Sequence, residues 1–252
     1  MIYDIQTASV WKRMSAWLLD FIVILILATG FAVVTSLITN YGKYNNQLKD
    51  YYAQYEEEYD AKINITKDEY DKLDETEKKK YDDMFEALNN DKDVLYVYNL
   101  TINLMIVIVS VSLLLSVIIS EFVVPLLFKN GQTIGKKIFG IGIVKNNDPI
   151  KVSKIQLFTR AIVGKYAIEL MIPVLALIFI LVGNGGLFST LLIIGLALFQ
   201  IGLCLFTRNH QAIHDVLAYT VVVDIQTQMI FNNADELLEY KKKNHSIEAN
   251  KI

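Results

Sequence analysis

Four long apolar stretches, 16–38, 100–119, 160–182 and 187–206, constrain this 252-residue chain more than any other feature in it. At about 1.5 Å per residue, each can cross a hydrocarbon core of about 30 Å as a helix. In that core a lone segment satisfies its own backbone only by being helical. The first stretch follows Lys12 and Arg13, exceeds the ~7–15 apolar residues of a signal peptide and has no Ala-x-Ala site after it, so it reads as an uncleaved anchor. The third and fourth are separated only by Gly183, Asn184, Gly185 and Gly186, which makes them an antiparallel hairpin. The expected fold class is an all-α membrane protein: a four-transmembrane-helix bundle with a small cytoplasmic β-element and an external helical insertion.

The chain is 53% hydrophobic yet 20% charged, so the two classes must be segregated. Residues 40–99 hold 9 Lys/Arg and 16 Asp/Glu, against 15 and 11 elsewhere, so the insertion is net −7 and the rest net +4. Lys129, Lys136, Lys137, Lys145, Lys151, Lys154 and Arg160 lie between spans two and three, while the Gly-rich turn carries no cation. The positive-inside rule therefore places that loop in the cytoplasm, with both termini on the same side and the acidic segment outside. The expected division is 1–39, N-terminus and first span; 40–99, external insertion; 100–128, second span; 129–159, cytoplasmic loop; 160–206, paired spans; and 207–252, cytoplasmic segment and polar tail. The lipid bilayer is the expected partner, and no nucleic acid is expected.

In the insertion, Thr66 and Glu69 form a capping box ahead of Tyr70, Leu73, Tyr81, Met84, Phe85 and Leu88 at helical spacings. Tyr51, Tyr52, Tyr55 and Tyr59 supply a second stripe, so a small helical hairpin is expected. It is either a solvated insertion or a cap that binds a ligand or partner. On the cytoplasmic side, 138–144 and 149–152 flank Lys145, Asn146, Asn147 and Asp148 and read as a β-hairpin, which the β-branched run 219–223 can join.

Charges inside the spans carry the functional reading. Asp20 is a carboxylate within the first span, a position that costs a few kcal/mol and is met by facing the bundle or a cavity. Glu121 and Glu169 lie at a similar depth, and each is followed four residues later by a proline, Pro125 and Pro173, that cannot donate to the glutamate's carbonyl. An oxygen-rich setting of this kind suits a hard cation or a proton. The alternative is that the glutamates pair with Lys165, Arg160 or Arg13 as structural locks.

His210 and His214, at i and i+4 beside Asp215, would share a helix face as half of a metal site, as a pH sensor or as structural groups. Three histidines in all are too few for a membrane di-iron enzyme, and the lone Cys204 offers neither a disulfide nor a cysteine zinc site. No metal, cofactor or enzymatic activity is expected. Gly131-Gln132-Thr133-Ile134-Gly135-Lys136-Lys137 lacks the P-loop spacing; its glycines permit turns, and Lys136 and Lys137 are placed at anionic lipid headgroups.

Three patterns line up with these spans: Arg13-x-x-Ala16-x-x-x-Asp20, the Gly131–Lys137 loop running into Val144, and His210-Gln211-Ala212-Ile213-His214-Asp215 running into Val223. Together they resemble the RDD family of bacterial membrane proteins. The family is named for an arginine and two aspartates, which fall here on Arg13, Asp20 and Asp215. The resemblance covers the spans and cytoplasmic loops; the insertion, longer than is usual between the first two spans, departs from it. It implies a bacterial plasma membrane, and for function it implies suspected transport, with cation/proton exchange proposed for some members.

Two functions are therefore carried forward. One is proton-coupled transport of small cations or solutes through Asp20, Glu121 and Glu169, with homo-oligomerisation because four spans are few. The other is an accessory or scaffold protein that binds another membrane protein through its insertion or cytoplasmic face.

Overall fold

The computed structural model describes residues 5–183 and 185–249, with side chains through residue 243. Asn184 of the expected turn and the end of the tail lie outside the described residues. In chain order the helices are α1 (Val10–Ile38), α2 (Tyr41–Tyr59), α3 (Lys67–Asp71), α4 (Glu75–Asn90), α5 (Lys92–Leu127), α6 (Ile134–Ile138), α7 (Lys154–Leu181), α8 (Gly186–Phe206), α9 (Ile213–Ala218) and α10 (Ala234–Ala249). Two strands, β1 (Ile141–Lys145) and β2 (Thr220–Asp224), complete the chain. Helices α1, α5, α7 and α8 are long and apolar enough to cross a membrane, which makes this an all-α membrane fold with a small sheet. Their outward faces carry Trp17, Ile26, Leu198 and Phe199 in the open, as expected where lipid replaces water.

By contacts the chain divides into Met1–Gly30 with Ser112–Ile252, and Phe31–Val111. Within the second unit, α2 and α4 pack around Met84, Leu48 and Leu88, with the tyrosine stripe Tyr51, Tyr52, Tyr55 and Tyr59 against them. Val94 and Val97 complete that core, because α5 begins at Lys92, eight residues before the apolar run. Hydrophobicity marks where a helix enters lipid, and the helix itself continues until its packing partners end. The Thr66–Glu69 capping box is present, and a second one links Asp74 and Glu77 at the start of α4.

In the first unit, α5 and α7 change pitch near their prolines. Residues Ile118–Val123 and Thr159–Met171 are π-helical, with the Val124 N–H donating to the Ile119 carbonyl, five residues back. Such adjustments re-satisfy backbone groups that a proline in a membrane helix leaves without a donor. Ahead of Pro125 and Pro173 the helices thus take a wider turn.

The run 219–223 joins the β-element as expected, but the local hairpin is reduced. Ile138 ends α6, and β1 pairs antiparallel with β2 over Ile141↔Asp224 to Lys145↔Thr220. The turn at 145–150 survives as the single bridge Val144↔Lys151. Strand β1 is buried along Ile141–Val144 and takes the equally buried Thr220–Val223 as its partner; 149–152 opens with a proline that has no N–H to give to a ladder, and its Ile150 turns to Phe231.

Candidate functional site

Helices α1, α5, α6, α7 and α9 bring every ionisable residue singled out within the spans into one buried cluster, together with four cations. Asp215, on the first turn of α9, receives the Arg160 guanidinium on Oδ1 and the Arg13 Nη2 on Oδ2 at 3.4 Å. Thr220 at the start of β2 accepts from Arg160 at 3.1 Å and donates to Asp215 Oδ1 at 3.2 Å. Tyr219, left-handed at φ 55°, turns the chain between α9 and β2 so that both side chains reach one guanidinium. Burial alone would raise the Asp215 carboxyl, but Arg160, His214 and Arg13 outweigh it and hold the group below the usual carboxylate range.

Asp20 does not join the Arg13–Asp215 pair. Its Oδ2 accepts from the Thr133 hydroxyl at 2.5 Å, and its Oδ1 from the Gly135 N–H at 2.8 Å. Gly135 is helical rather than a turn residue. A Cβ there would overlap the Ala16 carbonyl oxygen, so glycine is what allows α6 to lie against α1.

Lys136 corrects an expectation. Instead of meeting lipid headgroups it is buried, with Nζ 3.8 Å from both Asp20 and Glu121. The cause is α6 itself: Thr133 caps it, and one short turn sends Lys136 inward while Lys137 stays exposed, 3.9 Å over the Phe128 ring. Burial lowers the Lys136 ammonium to about 8, against the pull of Glu121.

Glu121 pairs with Lys165, the partner that the lock reading names. Glu169 instead accepts from the His214 ring Nδ1 at 2.7 Å and from its backbone N–H at 3.1 Å. Gly164 makes this possible: a Cβ there would sit 2.5 Å from the His214 Cβ. His210 is separated from the others. It lies before α9 with φ 50° and its Nδ1 meets the Cys204 carbonyl oxygen at 2.9 Å, so the two histidines do not share a helix face. Among the described residues, no cluster of His, Cys, Asp and Glu can hold a metal ion.

The cluster holds four carboxylates (Asp20, Glu121, Glu169, Asp215) and four cationic partners (Arg13, Lys136, Arg160, Lys165), with His214 in addition. It is therefore charge-balanced when His214 is neutral, and burial lowers that imidazole despite Glu169. Beside it lies a cavity of about 690 Å³, walled by apolar residues of α1, α7 and α8 such as Phe21, Ile24, Val174 and Leu196.

Sequence reasoning missed Thr133, Thr220 and the joint role of Arg160 with Lys165. Five residues are about 140° apart on an α-helix, which would send those two cations to different faces; in a π stretch, residues five apart stack. The available signal was the glutamate–proline spacing, which marks where the pitch can change.

A family model described as the RDD family matches residues 7–219. No curated protein and no solved structure matches the chain.

Proposed function

We propose, from the premise that this chain belongs to the RDD family of membrane proteins, that it is a transporter moving small solutes or cations in exchange for protons and has no enzymatic activity. The observation that carries this reading is a buried, charge-balanced cluster opening on a cavity among helices long enough to span the bilayer. Ionisable groups are retained at such depth at a cost of several kcal/mol, and in membrane proteins they mark substrate and proton paths. Glu169 and His214 are the proton carriers in this proposal, since a carboxylate–imidazole pair shares a proton that solute binding can displace. Asp20 and Glu121 hold the helices together. A bare cation would have to take either one from its cationic partner, so the balance of charge favours a solute over a metal cation. In this reading both termini face the cytoplasm of a bacterial cell and residues 40–99 lie outside, which the basic loop between the second and third spans supports.

The separate core of residues 31–111 favours a second reading, an accessory protein whose insertion binds a membrane partner. Flux measurements in proteoliposomes separate the two. Uptake of Na⁺, Li⁺, K⁺ and small organic acids against an imposed pH gradient is followed for wild type, Glu169→Gln and Asp20→Asn at equal incorporation. The transport reading expects proton-coupled flux that Glu169→Gln abolishes while the protein stays folded, and reduced folded yield for Asp20→Asn. No flux from wild type, with a known exchanger working alongside, overturns it in favour of the accessory role.

A further inference from the structure

We propose that the cavity takes one acyl chain of a bilayer lipid with an anionic headgroup, whose phosphate is received by Arg160. This rests on the reading of the cavity as the chain's binding site, and it names the class of molecule bound there.

Three observations converge on that occupant. The cavity lies among α1, α7 and α8, and its wall is hydrocarbon for most of its extent, from Trp17 and Phe21 on α1 to Leu170 and Val174 on α7 and Leu196 on α8. A space of about 690 Å³ lined this way suits a chain-like apolar guest. The charged end of the wall shows the cationic side of the cluster. All four of its cations line the cavity but only three of its carboxylates do, since Glu121 lies behind Lys165, so a cluster that is balanced as a whole turns its positive side to the cavity.

The third observation is an incomplete guanidinium. Arg160 is 2% exposed and lines the cavity, and its Nε–H has no hydrogen-bond partner among the described residues; the nitrogen itself is covered, so a phosphate oxygen meets it once the guanidinium turns toward the cavity. A buried donor left unpaired costs about 1–3 kcal/mol, more when charged. An oxyanion is the acceptor an arginine edge fits best, and basic pockets between membrane helices hold lipid phosphates by this chemistry. A zwitterionic lipid would bring its own cation to the positive side of the cluster.

The test uses the full chain in nanodiscs. There are two tryptophans, and Trp11→Phe leaves Trp17 as the sole fluorophore; it lines the cavity and also faces bulk lipid, so bulk lipid adds a proportional part to its quenching and the cavity a saturable one. Brominated phosphatidylglycerol or brominated phosphatidylcholine is titrated into an unbrominated phosphatidylcholine background, and Trp17 quenching is read. The expected result is quenching that saturates with phosphatidylglycerol at a mole fraction about fivefold lower than with phosphatidylcholine, the ratio given by roughly 1 kcal/mol of headgroup attraction.

Ala197→Phe intrudes on the apolar part of the cavity without touching an ion pair and is expected to weaken the saturable phase enough that it is lost from the titration. Arg160→Lys keeps a cation for Asp215 but removes the Nε–H, and is expected to shrink the preference. Equal, proportional quenching by both lipids overturns the proposal. So does a saturable phase that survives Ala197→Phe, or displacement by palmitate where unbrominated phosphatidylglycerol has no effect. Saturable lipid binding without flux leaves this inference standing and removes the transport reading; flux without lipid preference does the reverse.

Discussion

At the scale of single residues, the two aspartates of the family signature do different work. Asp215 gathers Arg160, Arg13 and the Thr220 hydroxyl around one buried carboxylate. Asp20 instead fixes α6 against α1 through Thr133 and Gly135. Removing one partner of a buried pair leaves the other charge uncompensated, so Asp215→Asn is expected to lower stability by about 3–5 kcal/mol. Thermal unfolding in detergent measures this, and a change below about 1 kcal/mol, the scale of an exposed pair, would refute it.

Two buried groups on α9 set the pH response. The His214 imidazole lies below its ordinary 6.5 because burial opposes its charge, against Glu169. The unfolded chain then takes up the proton first as pH falls through 6.5, so acidification destabilises the folded form. Asp215 lies below 3.8, where Arg160, His214 and Arg13 outweigh burial, so its contribution is lost only at pH values below that. A melting temperature followed from pH 8 to 2 is expected to fall in the upper window first, around and below pH 6.5, and again below pH 3.8. His214→Gln is expected to flatten that window and leave the acid limb in place.

At the scale of elements, the π stretches in α5 and α7 matter most. By widening the turn they let Arg160, Lys165 and Glu169 share the buried side of one helix, which an α-helix would not. The prolines lie within the sequence patterns, but whether a proline in a membrane helix yields a bend, a break or a wider turn depends on what its neighbours satisfy. Cation placement on α7 was accordingly illegible. In the insertion, by contrast, local rules sufficed: capping residues and apolar spacing named the α3 start and the α4 stripe. Met84 is fully buried at the centre of that core, so Met84→Ala is expected to cost about 2–5 kcal/mol there. Hydrogen exchange of the full chain is the check: amides in 41–98 should exchange faster, while those in α7 stay unchanged.

At the scale of the whole molecule, the basic loop and acidic insertion predict opposite sides of the membrane. In a Cys204→Ser background, Glu75→Cys is expected to react with an impermeant maleimide on intact cells, and Lys137→Cys only after permeabilisation; the reverse pattern would invert the topology. The four spans, their pairing through the glycine turn and the family signature were determined by the sequence itself. Each depends on hydrophobic length, local turn chemistry or the order of residues along the chain, and none needs a distant partner. The pairing of 219–223 with 138–144 was also legible; the tertiary structure decided that β1 and β2 make the whole ladder across some 75 residues while the hairpin return keeps a single bridge. It also decided that Lys136 turns inward, and that Arg13 meets Asp215 while Asp20 does not. Which buried charge meets which depends on helix rotation and pitch, and these are settled when the helices pack against one another.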